Sequence, residues 1–139
     1  MTRCLVVGHS GLAAALVRAA REIVGPDAGC EAFDFFFEQT LERIEADLAR
    51  WLDEQLARGP AVLLTDLPGA TPHNLSIKLA EPRGLEVVTG VNLPMLLRGV
   101  NHADAAPADL ARLAAVGGLR AIERSAEGRK APDAAGDGS

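Results

Sequence analysis

From residue 3 to residue 124 the chain alternates short apolar runs with longer stretches in which apolar residues return every three or four positions. The short runs mark strands buried on both faces; the longer stretches mark amphipathic helices. Leu5–Gly8 is such a run. It is followed by Leu12, Leu16, Ala19, Ala20 and Ile23 at helical spacing, which stops at the helix-breaking pair Gly25 and Pro26. Glu31–Phe37 has the aromatic density of a second strand. Thr40 stands as an N-cap with Arg43 three residues on, and Leu41, Ile44, Leu48, Trp51, Leu52 and Leu56 mark one face of a helix ending at Gly59 and Pro60. Ala61–Thr65 predicts a third buried strand, Thr71–Ala80 a shorter helix with Pro72 allowed in its first turn, and Leu85–Thr89 a fourth strand. Leu93–Val100 and Pro107 to about Arg124 predict the last two helices.

Strands that alternate with helices imply an α/β fold with an open, mainly parallel, doubly wound sheet, because right-handed crossovers lay the connecting helices on both faces. Four or five strands in the order 2-1-3-4 are expected. In that order the first and third strands are neighbours about 4.8 Å apart, and a crevice opens between their carboxyl ends, where the winding reverses. Residues 1–124 read as one domain. Residues 125–139 offer no large apolar side chain to offset ordering entropy and are expected to be disordered.

The composition narrows the partners. A chain of 139 residues with a net charge of −5 and a pI near 5.1 has no basic run with which to engage nucleic acid or an anionic membrane. Small-molecule or protein partners are favoured. Only Cys4 and Cys30 are present, and neither a signal pattern nor a membrane-spanning apolar run is seen, so a cytoplasmic protein with reduced, buried thiols is expected.

Candidate chemistry gathers at the strand ends. His9 closes the first strand and Asp66 follows the third, which places an imidazole and a carboxylate on the two lips of the crevice. The carboxylate would hold one ring nitrogen and leave the other free as a nucleophile. Gly69–Asn74 leads into a helix N-terminus, whose free N–H groups and Thr71 hydroxyl suit phosphoryl oxygens. A histidine after a strand is more often structural, and Asp66 before Pro68 would serve a turn equally well; it is their pairing at the switch point that favours function. His73 and His102 lack metal-ligand spacing and read as solvent-exposed. Gly8, His9, Ser10 and Gly11 form neither a P-loop nor a dinucleotide fingerprint, and Ser10 lacks a nucleophile-elbow context.

The strand ending at His9, the segment Thr65-Asp66-Leu67-Pro68-Gly69-Ala70-Thr71-Pro72-His73-Asn74 and the run Val88-Thr89-Gly90-Val91-Asn92-Leu93-Pro94-Met95-Leu96 together resemble the mannose-family IIA component of the bacterial phosphoenolpyruvate-dependent sugar phosphotransferase system. The resemblance runs from about residue 3 to residue 124. It implies that His9 is the phosphorylated histidine, Asp66 the carboxylate that orients it, and Thr71 the hydroxyl position beside the phosphoryl group; Gly69 and Ser10, in the turns around it, are further candidate phosphoryl-binding residues. This sequence departs from the family in having Ser10 and Ala70 where glycines are usual, and His73 where an aromatic is common.

By the same resemblance an HPr-type phosphocarrier donates to His9, and a histidine of a IIB component, serving a IIC/IID permease, accepts. No cofactor and no metal are required. A regulatory carrier uncoupled from sugar transport, a relay to dihydroxyacetone kinase, and a ligand-binding module that has lost the relay are the other readings. Leu67, Pro68 and Met95 are the expected docking residues. The apolar Leu93–Val100 segment is expected to be exposed and covered in a homodimer burying on the order of 1,600 Å².

Overall fold

The apolar run near the start of the chain forms β1 over Arg3–His9, which ends at His9 as the sequence indicates and begins ahead of the run at Arg3. The computed structural model describes residues 1–126. After β1 come α1 (Leu12–Val24), β2 (Cys30–Phe35), α2 (Leu41–Leu56), β3 (Ala61–Thr65), α3 (Thr71–Ala80), a single 3-10 turn (Glu81–Arg83), β4 (Glu86–Thr89), α4 (Leu93–Val100) and α5 (Pro107–Arg120). Ser125 and Ala126 carry no regular secondary structure, and the rest of the expected disordered tail lies outside the described residues.

All pairings are parallel and the strand order is β2-β1-β3-β4, the expected topology with four strands. The pleat sends alternate side chains of each apolar run to opposite faces. Cys4, Val6, Val62 and Leu64 pack under α1, α4 and α5, while Leu5, Val7, Ala61 and Leu63 pack under α2 and α3. The two cysteines lie in register on β1 and β2 as free, buried thiols. Burial pushes the Cys4 thiol up to about 12, so it is a packing group rather than a nucleophile.

The Gly90–Met95 run owes its form to a tight passage from β4 to α4. Gly90 takes φ +85°, Asn92 accepts a hydrogen bond from the Met95 N–H at 2.9 Å as the N-cap, and Pro94 sits in the first turn. The Asn92 amide also donates to the Gly118 carbonyl at 3.1 Å, which pins α4 to α5.

Three expectations are corrected here. β2 stops at Phe35 rather than Phe37, because it is an edge strand whose one partner, β1, ends at His9 opposite Phe35. Helix α5 ends at Arg120, short of Arg124. The apolar side of α4 is not left open: Met95, Leu96 and Val100 are buried against α1, α5 and the sheet, and Leu93 and Leu97 pack against the same cluster. The surface that suggested a dimer is thus covered within the chain itself.

Candidate functional site

The register of β1 and β3 brings the carboxyl ends of these strands side by side, since Val7 pairs with Thr65. His9 and Asp66 extend from that row. Oδ2 of Asp66 lies 2.7 Å from His9 Nδ1 and accepts the His9 backbone N–H at 2.9 Å. A carboxylate oxygen offers only lone pairs, so Nδ1 carries the ring proton and Nε2 keeps a free lone pair. The Asp66 side chain is 7% exposed and the His9 side chain 34%. The second Asp66 oxygen, Oδ1, is buried with no hydrogen-bond partner among the described residues, so the carboxylate is held through Oδ2 by the His9 ring and the His9 backbone N–H. Gly8 makes the approach feasible: a Cβ there would stand 3.3 Å from Asp66 Oδ2 and 3.3 Å from the Ala13 nitrogen.

The turn after His9 is strained. Ser10 adopts φ +51°, the sole non-glycine residue in the left-handed region among those described, and Gly11 follows at φ +95°. The Ser10 N–H donates to the Phe35 carbonyl at 2.9 Å. A glycine at position 10 would remove the Cβ penalty at the cost of a more mobile unfolded chain. Ser10→Gly is accordingly expected to raise stability by about 0.5 to 1 kcal/mol, read as a higher urea midpoint at unchanged slope.

Asp34 is a site residue that sequence reasoning missed. From β2 its carboxylate accepts the Ala13 and Ala14 N–H groups, each at 2.9 Å, and so caps α1, whose own N-cap is Gly11. Two of the donors at that helix end are therefore already taken. The N-terminus of α3 is open by contrast. Its N-cap Ala70 has no capping side chain and Pro72 no N–H, which leaves the Thr71 and His73 amides without intrahelical acceptors. Thr71 is half-buried and opens this helix; Gly69, exposed at φ +79°, forms the preceding turn and accepts the Asn74 side-chain amide at 3.0 Å.

Exposed apolar side chains lie beside the imidazole and in the turns that follow β2 and β3. The Phe37 ring lies 5.9 Å from that of His9, Phe36 and Phe37 are half-exposed, Leu67 is 55% exposed and Pro68 is also exposed. The two phenylalanines were hidden in the sequence as the end of a strand. Met95 must be removed from the rim: at 4% exposure it belongs to the core beneath α5. The other histidines are not free surface groups either. His73 Nδ1 is 2.8 Å from the hydroxyl of buried Thr65, and His102 Nδ1 donates to the Arg98 carbonyl at 2.9 Å.

Residues 3–115 match the family described as "PTS system fructose IIA component", PTS being the phosphotransferase system. The chain belongs to the mannose-type EIIA family. It is 26% identical over 98 residues to the PTS system fructose-specific EIIA component of Bacillus subtilis (strain 168), covering 70% of this chain and 67% of that protein. The mannose/sorbose-specific IIA subunit from Enterococcus faecalis superposes with a TM-score of 0.83 at 25% identity, over 93% of this chain and 98% of the other. A phosphotransferase component EIIA from Streptococcus agalactiae shares the fold with a TM-score of 0.78 at 22% identity, over 89% and 97% of the two chains. EIIA proteins are phosphotransfer proteins of the transferase class. In this EIIA chain no described helix is long and apolar enough to cross a membrane.

Proposed function

We propose that the protein is a phosphocarrier that accepts a phosphoryl group on Nε2 of His9 from an HPr-type phosphohistidine and passes it to a histidine of a IIB component. The observation that carries this reading is the double hold of Asp66 Oδ2 on the His9 backbone and Nδ1, which fixes tautomer and ring direction together. In the forward step the Nε2 lone pair forms a bond to phosphorus as the donor's P–N bond breaks, and the donor imidazole keeps the electron pair. The His9 ring gains positive character as this happens, and the buried carboxylate at 2.7 Å stabilises it. The open amides of Thr71 and His73 and the Thr71 hydroxyl suit the equatorial oxygens, so positioning and electrostatics carry the reaction. Leu67, Pro68, Phe36 and Phe37 would form the docking rim for both partners.

The direct test is to mix the protein with preformed phospho-HPr and examine the product. An acid-labile, base-stable phosphate with the 31P signature of Nε2-phosphohistidine is expected; a stable ester or no uptake would remove the reading. Asp66→Asn keeps a hydrogen-bond acceptor but loses the charge, and is expected to fold normally while slowing transfer on the order of a hundredfold in a stopped-flow assay. An unchanged rate would reduce Asp66 to a turn residue.

A further inference from the structure

The opposite end of the sheet carries a concentration of positive charge that the phosphoryl site does not use. Arg3 opens β1, Arg21 lies in the last turn of α1, and Arg58 lies in the turn before β3. Their guanidinium groups converge on one carboxylate, Glu31, at 3.9, 3.4 and 3.7 Å. Among the described residues none of the three has a second carboxylate partner, so three positive charges face one negative. The Arg3 side chain is only 10% exposed, with its guanidinium also held by the Gln55 side chain and carbonyl, so part of this excess lies away from water. Desolvation, followed by the like charge of Arg58, pulls the Arg3 pKa below its ordinary value.

These groups border a cavity of about 300 Å³, which Asp27 also lines without pairing to any of the three. Even with Asp27 counted, positive charge is in excess, in a chain whose net charge is −5. An adjoining cavity of about 520 Å³ shares Arg21 and Glu31, has Ala14, Val17 and Ala32 on its apolar side, and carries Arg18 and Glu22 at its border. We propose that the Arg3–Arg21–Arg58 cluster is a second anion site, which takes the phosphate head of a small phosphomonoester while the adjoining cavity receives the organic part. Convergence on a single point selects a dianion whose charge sits on one head, since a dicarboxylate spreads its two charges and brings only one carboxylate to the cluster. Glu31 acts as a tethered stand-in for that head and competes with it. The site is independent of the chemistry at His9.

The test is a 1H–15N titration of the full chain at constant ionic strength with inorganic phosphate, phenyl phosphate and succinate. Saturable shifts at the Gly29, Cys30 and Glu31 amides are expected with both phosphates, phenyl phosphate binding the tighter, and at least tenfold weaker binding of succinate. Arg58→Gln and Arg21→Gln change exposed ends of the cluster and should weaken phenyl phosphate at least tenfold, whereas Glu31→Gln should tighten it. Shifts confined to Ser10 and Thr71, equal affinity for succinate, or unchanged affinity in Arg58→Gln would each overturn the assignment and leave the arginines as a structural clamp.

Discussion

Replacing His9 with alanine is expected to abolish phosphoryl acceptance from phospho-HPr while leaving the domain folded. The imidazole lies on the rim, and what its loss costs the fold is one hydrogen bond to the Asp66 carboxylate, about 1.5 to 3 kcal/mol. The Asp66 carboxylate keeps the second of its two donors, the backbone N–H of residue 9. Radiolabel transfer and circular dichroism on the same preparation check both halves. Label retained in His9→Ala at His73 or His102 would move the reactive position elsewhere.

The second large effect is on stability. Met95→Glu places a carboxylate in the cluster formed by α1, α4, α5 and the sheet, where the Met95 Cβ already stands 2.9 Å from the position a Cβ on Gly118 would occupy. Nothing in that cluster can pair with the charge, and the cost of several kcal/mol is a large share of the stability of a domain this size. The variant is expected to unfold or fail to accumulate, whereas Met95→Leu should lose less than about 1.5 kcal/mol by denaturant titration. Leu67→Glu is the contrasting change on the rim. It should keep the fold and slow transfer from phospho-HPr, and normal folding of Met95→Glu would contradict the placement of α4.

The parts of this architecture that depend on local chemistry could be read along the chain. Helix α3 runs from Thr71 to Ala80 as its pattern indicates, and Thr40 caps α2 by accepting the Arg43 N–H at 3.1 Å. The parallel sheet followed from the alternation of elements, its order from the commonest winding for so few strands, and from that order the meeting of His9 with Asp66, fifty-seven positions apart. What stayed hidden depends on contacts between elements. Asp34 gives no local sign of capping a helix that precedes it, although a carboxylate inside an aromatic strand was a signal in itself. Phe36 and Phe37 look like strand residues until the end of β1 deprives β2 of its partner. Met95 sits in a rim motif, yet its side chain turns inward because helix geometry places it on the buried face of α4.

Strand β2 lies at the edge of the sheet, yet it and the residues just beyond it support the reactive turn at three points: the Phe35 carbonyl receives the Ser10 N–H, the Asp34 carboxylate receives two α1 amides, and the Phe37 ring, two residues past the strand, lies beside His9. Stability is not uniform across a fold, and β2, paired with β1 alone, has one ladder of hydrogen bonds to lose on opening. The amides of Ser10, Ala13 and Ala14 are therefore expected to open together with β2, their hydrogen exchange following that strand rather than the central pair β1 and β3. A single fluctuation at the margin of the molecule would then release the floor beneath the imidazole proposed to carry the phosphoryl group.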